Sequence, residues 1–301
     1  MNKLVIIGCG NVGLSYAFSL INSNLEIQEL ILIDVAQNRL EGNLLDLNHA
    51  NIALGRNIKI RIGNYQDCSN ADIICITAGT SQNNMKTRTS AINQNNSIMI
   101  SIISEVNNSG FQGIYLIASN PLDVMSYTAW KNANLDHSRI IGSGTLLETA
   151  RLKYFISQKL SISPEEIEGY VLGEHGDTQF VAWSQVKIQG KNAAEILSVQ
   201  ERNEISNQVR NTGYHIVEKT GATHYGVAGC LKELTSIILN KEQKILPVSC
   251  YNPDFDLYIG SLALLTAEGI KETKKIFLSE IEQEQYKSSA TFLKSLIENL
   301  S

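Results

Sequence analysis

The chain has 301 residues, 43% of them hydrophobic and 18% charged, with a formal net charge of −5. That length allows two modest domains or one large α/β unit, and the acidic balance without any long basic run argues against a nucleic-acid or membrane surface as partner. No apolar stretch approaches the roughly 18 residues of a membrane span, and the first strand begins at Lys3, so the expected compartment is the cytoplasm.

The apolar run Leu4-Val5-Ile6-Ile7 breaks into Gly8-Cys9-Gly10-Asn11-Val12-Gly13 and then into a helical pattern. Strand, tight turn and helix in this order form a phosphate cradle: Gly8 turns the chain, Gly10 lets a pyrophosphate approach bare backbone, and Gly13 lets the helix lie close to the strand. A second strand, Leu30-Ile31-Leu32-Ile33, ends in Asp34, where an acid accepts the hydroxyls of an adenosine ribose. Asp34 predicts NAD rather than NADP, because a 2′-phosphate would meet a carboxylate. A helix over 36–48, a strand over 58–62, a buried parallel strand over 71–78 and a polar loop over 80–87 follow, the loop lying over the site. The strand ends in Thr77-Ala78-Gly79, at the sheet edge where ligands bind.

Next come a helix over 90–109, a strand over 114–118 closed by Ser119-Asn120-Pro121, and a helix with Pro121 in its first turn. Near residue 143 the pattern changes, which divides the chain into a dinucleotide-binding unit, 1–143, and a substrate unit, 144–301. The second unit has helices over 145–160 and 201–220, strands over 245–251 and 257–259 around the turn Asn252-Pro253-Asp254, and a C-terminal helix. The five cysteines show no C-x-x-C pair, so reduced structural thiols are expected, with neither disulfide nor metal.

A dinucleotide site needs a group to manage the proton that accompanies hydride transfer, and histidine suits this near neutral pH. Of five histidines only His175 stands between glycines with an adjacent acid. Glu148 is the candidate carboxylate to orient it, and Arg151, three residues on along the same helical face, is the candidate grip for a substrate carboxylate. Arg88, at the end of the polar loop, is placed to polarise a carbonyl when the loop closes.

Several ordered motifs carry a resemblance to the L-lactate and malate dehydrogenase family: Thr77-Ala78-Gly79 with Gln82 and Thr87-Arg88; Ser119-Asn120-Pro121-Leu122-Asp123; Gly142-Ser143-Gly144-Thr145 with Thr149-Ala150-Arg151; and Gly173-Glu174-His175-Gly176-Asp177-Thr178. The resemblance implies a Rossmann-type doubly wound parallel sheet followed by an α+β catalytic domain, with hydride transfer between NAD and an L-2-hydroxy acid. It implies His175 as proton donor and acceptor, Arg88 as the loop arginine, Arg151 as carboxylate clamp, and Asn120 beside both substrate and cofactor. It further implies Thr223 in the substrate wall, Val227 against the nicotinamide, Gln82 facing the far end of the substrate, and a homo-oligomer, dimer or tetramer. Glu148 stands where the family has Asp, the loop lacks the Pro-Gly of the lactate branch, and 179–183 resembles the branch of L-2-hydroxyisocaproate dehydrogenases. A lactate, a malate or a longer 2-oxo acid pair remains open as substrate, beside a non-catalytic dinucleotide-binding role.

Overall fold

A computed structural model describes residues 2–80 and 88–300. Its main sheet begins with six parallel strands: β1 (Lys3–Ile7), β2 (Glu29–Ile33), β3 (Lys59–Ile62), β4 (Ile73–Ile76), β5 (Ile114–Ile117) and β6 (Ile140–Gly142). They lie in the order β3-β2-β1-β4-β5-β6, the arrangement of a doubly wound dinucleotide fold. The helices α1 (Asn11–Ile21), α2 (Gln37–Ala53), α3 (Arg88–Ser109), α4 (Leu122–Asn132) and α5 (Leu146–Leu160) connect or follow these strands.

The central strands form because their residues are almost wholly apolar, as burial on both faces demands, whereas the edge strand β3 alternates Lys59 and Arg61 with Ile60 and Ile62. Alternate side chains then feed two separate cores. Leu4 and Ile6 of β1 join Tyr16 and Leu20 of α1 on one face, whereas Val5 and Ile7 join Ile103 of α3 and Val124 of α4 on the other.

Short strands follow: β7 (Ile167–Glu168), β8 (Val171–Leu172), β9 (Phe180–Val181), β10 (Lys187–Ile188) and β11 (Lys191–Asn192). After them come α6 (Ala193–Ile196), α7 (Val199–Thr220), α8 (Tyr225–Leu239), the hairpin strands β12 (Lys244–Asn252), β13 (Leu257–Thr266) and β14 (Gly269–Thr273), and α9 (Glu280–Glu298). A capping box of Ser198 with Glu201 starts α7, and Gly221, at φ 81°, ends it. The hairpin does not stand apart from the parallel strands. Ser249 of β12 pairs antiparallel with Gly142 of β6, so nine strands form one sheet.

Three features differ from the sequence expectation. The strand expected over 257–259 runs to Thr266, because it pairs with β12 along that strand's whole length, and β14 extends the sheet further. Helix α8 had no clear signature, since Gly226 and Gly229 interrupt its first turns; packing of Leu231 and Leu234 into the core beside α1 supports it instead. Pro121 lies just before α4, at its N-cap, rather than inside the first turn.

Candidate active site

The glycine turn is shaped by contacts that a side chain would destroy. Gly8 has φ 94°, and a Cβ there would lie 2.4 Å from the Ala78 backbone; one at Gly13 would lie 2.3 Å from the Gly8 carbonyl oxygen and 2.7 Å from the Thr77 hydroxyl. Thr77 Oγ1 donates to that same carbonyl, which locks the end of β4 to the turn. A Cβ at Gly10, by contrast, would meet nothing within 4 Å. Gly10 is the N-cap of α1 and offers no side chain to the first N–H groups, of which that of Leu14 bonds to the Gly10 carbonyl at 3.0 Å.

Asp34 follows β2 at the same sheet edge. Its Oδ2 accepts the Cys9 N–H at 2.6 Å and its Oδ1 the Ala36 N–H at 2.8 Å, so the carboxylate is held beside the glycine turn. Open backbone at Gly10, uncapped amides and a fixed acid at the next strand end fit an NAD molecule. Cys9 beside them is buried and its thiol is pushed up to about 12, chiefly by burial, which leaves it unreactive.

Across the sheet edge, Asn95 of α3 fixes two further ligand loops. Its Oδ1 accepts from the Thr80 N–H at 2.8 Å and its Nδ2 donates to the Asn120 carbonyl at 2.8 Å. Gly79 lies against the same side chain. Asn95 was not singled out from the sequence, because both of its partners are distant along the chain and no local spacing marks it.

The chemical centre lies at the start of α5. Glu148 is 2% exposed and bridges two groups: Oε2 lies 3.1 Å from His175 Nδ1, and Oε1 accepts from Arg151 Nη1 at 3.0 Å. Helical spacing explains the second contact, and a loop pinned from behind explains the first. Gly173 exchanges backbone hydrogen bonds with Gly260 of β13 at 3.1 and 3.0 Å, and the His175 N–H donates to Asp123 Oδ2 at 2.7 Å. Asp123 is itself fixed by the Ser249 hydroxyl at 2.6 Å.

Burial of the imidazole opposes its charge and is the largest single effect. The Glu148 charge and hydrogen bond, with Asp123 beyond, outweigh it and push His175 up to about 9. Burial likewise works against the Glu148 charge, but His175 and Arg151 together hold this carboxyl below its usual range. For Asp123, burial dominates and raises it to about 6. With Nδ1 engaged, proton exchange with a ligand falls to Nε2 of His175.

The guanidinium of Arg151 faces α7 at Gly213, where a Cβ would lie 3.7 Å from both Nη1 and Nη2. Val12 and Val227 border the same core, and Thr223 lies in the turn between α7 and α8. Asp177, adjacent to the histidine loop, accepts from Tyr214 Oη at 2.7 Å, and Glu148 is the carboxylate bonded to the imidazole. Arg88 begins α3; its side chain and all of Gln82 lie outside the described residues, as does most of the expected polar loop.

Fold and site together fit a dinucleotide-binding protein in which one buried carboxylate joins an imidazole to a guanidinium. The profile of the lactate/malate dehydrogenase NAD binding domain matches residues 2–142, and that of the alpha/beta C-terminal domain matches residues 145–301. The chain belongs to the lactate/malate dehydrogenase family. It is 40% identical to an L-lactate dehydrogenase of Borrelia hermsii, over 99% of this chain and 98% of that one. Among solved structures it resembles MGS-M5, a lactate dehydrogenase from a Medee basin deep-sea metagenome library, at 38% identity and TM-score 0.95, covering 99% and 98% of the two chains. The malate dehydrogenase of Aeropyrum pernix matches at 29% identity and TM-score 0.94, with the same coverage.

Proposed function

We propose that the protein is an NAD-dependent L-2-hydroxy acid dehydrogenase that interconverts pyruvate and L-lactate. The observation that carries this reading is the Glu148 bridge, which joins an acid–base imidazole to a carboxylate-binding guanidinium through one buried acid. Residues 1–143 serve the dinucleotide and 144–301 the substrate. Gly8, Gly10, Gly13 and Asp34 would hold NADH, which would supply the hydride for the 2-oxo carbon. Arg151 grips the substrate carboxylate and fixes which face of the carbonyl is presented. His175, protonated below pH 9, delivers its Nε2 proton to the carbonyl oxygen, and Glu148 compensates the charge before and after. In the reverse direction the neutral imidazole takes the hydroxyl proton. Asn120 and Thr223 line the substrate side; Asn11, Val12, Thr77, Ala78, Gly79 and Val227 line the cofactor side. Arg88 polarises the carbonyl on closure, and Gln82 receives the neutral end of the substrate.

A second reading, longer 2-oxo acids, is favoured by Gln179-Phe180-Val181-Ala182-Trp183, which resembles the branch of L-2-hydroxyisocaproate dehydrogenases. NADH oxidation against pyruvate, oxaloacetate, phenylpyruvate and 4-methyl-2-oxopentanoate separates the readings. Pyruvate should exceed oxaloacetate by roughly a thousandfold in kcat/KM, since a second carboxylate buried without a cation costs several kcal/mol. Gln82→Arg should move that ratio toward oxaloacetate, and an unmoved ratio rejects Gln82 as the selector. The reading carries with it the cytoplasm as compartment and a homo-oligomer, dimer or tetramer, as the working form. Exposed Leu45 and Ile52 on α2, Tyr214 and Val217 on α7, and Tyr225 on α8 support association.

A further inference from the structure

The first turn of α8 is held from two sides. On one side Gly226 lies against Leu147, where a Cβ would come within 2.7 Å of Leu147 Cδ1. Helix α8 therefore starts in direct contact with the turn of α5 that carries Glu148. On the other side His224 Nδ1 lies 2.8 Å from Ser15 Oγ on α1. His224 is the N-cap residue of α8, yet its side chain makes no capping hydrogen bond. The imidazole reaches instead across to α1, with its ring packed on that of Tyr225 at a centroid distance of 4.0 Å.

Ser15 stands two residues beyond Gly13, in the half of α1 nearest the glycine turn. A second bond between these helices, Tyr16 Oη to Thr235 Oγ1 at 2.5 Å, lies deep in the core and fastens their middles. Tyr16 and Thr235 are fully buried, whereas Ser15 and His224 are half-buried at the ligand end. Core packing accounts for the inner bond. The outer one ties the turn that bears Thr223 and Val227 to the cofactor helix.

We propose that His224 is a positioning residue: its bond to Ser15 clasps the segment 223–227 to α1 and sets the spacing of the substrate wall from the cofactor helix. The proposal rests on the assignment of Thr223 and Val227 to the walls of the site. His224 touches neither substrate nor cofactor. A wall ordered before the ligand arrives removes an ordering cost from binding, so loss of the clasp weakens substrate capture more than it slows the chemical step.

The test compares Ser15→Ala, His224→Phe, their double variant and His224→Asn, whose amide can still bond Ser15. Pyruvate KM and kcat are measured at saturating NADH, together with amide hydrogen exchange of residues 222–228 in the unliganded protein. Ser15→Ala and His224→Phe should each raise KM roughly threefold to tenfold with kcat within about twofold of the parent. The double variant should be no worse than the worse single, because both remove one interaction. His224→Asn should restore a KM close to the parent's, and exchange should quicken in both singles. Unchanged KM and exchange in Ser15→Ala, which removes one hydroxyl only, overturns the clasp, as do effects that multiply in the double variant. Quickened exchange in a protein that reduces no 2-oxo acid upholds the clasp and overturns the catalytic reading instead.

Discussion

At Glu148 one carboxylate contacts both an imidazole and a guanidinium, and the side chain's length matters to both contacts. Glu148→Gln keeps the shape but removes the charge that stabilises the imidazolium. Turnover with pyruvate should fall by roughly a thousandfold or more while NADH affinity is retained; near-normal turnover would assign the orienting role elsewhere. Glu148→Asp, which installs the residue the family has here, keeps the charge and should retain far more turnover than Glu148→Gln.

The same residue sets the pH response. Because His175 is raised from 6.5 to about 9, kcat/KM for pyruvate should be level through neutrality and fall above pH 9, while lactate oxidation should rise toward that pH. In Glu148→Gln the fall should move to lower pH, where burial alone depresses the imidazole. The stability sign follows: a folded pKa above the unfolded one gives a contribution that is full below pH 6.5 and lost as pH rises through about 9. A pH–rate profile and thermal melts across this window check both.

His175 was legible because glycines flank it, and the Glu148–Arg151 pair because i,i+3 spacing can be read directly. Asp123 as the acceptor for the histidine's own N–H, Asn95 between two loops, and Ser15 opposite His224 were not. Each of those contacts joins segments that only the sheet order brings together.

At the scale of elements, five of the six parallel strands, all but the three-residue β6, were readable from their sequence pattern, since burial on both faces leaves little choice of residue. The hairpin and α8 were less so. Their stability comes from partners, β6 and α1, rather than from local pattern. Helix α7 supplies a test at this scale. Gly213 lies inside it without a left-handed backbone, and an added Cβ would make ordinary contact, at 3.7 Å, with the Arg151 guanidinium. Gly213→Ala should therefore stabilise the protein by up to about 1 kcal/mol. Thermal melts read this effect, and a destabilised variant would contradict it.

In the whole molecule, the glycine turn and Asp34 lie at the edge of the nine-stranded sheet, and the histidine loop is bridged to that sheet through Gly173 and Gly260 of β13. The Ser249 side chain, on the strand that crosses from one half to the other, also anchors the Asp123 behind His175. Cofactor choice is a property of that shared edge. By the proposed placement of the ribose hydroxyls at Asp34, a 2′-phosphate would meet its carboxylate, so NADH should outperform NADPH by a wide margin in initial rate, and equal rates would remove this role from Asp34. The exposed apolar residues of α2, α7 and α8 should be covered by a second copy, and sedimentation at micromolar concentration should find a dimer or tetramer rather than a monomer. The most direct measurement is NADH oxidation by pyruvate in the parent protein and in His175→Asn, with NADH binding followed by fluorescence in both. The account predicts turnover in the parent, a loss of roughly a thousandfold in the variant, and similar NADH affinity in the two. Equal turnover in both, or none with any 2-oxo acid in a parent that binds NADH, would contradict it.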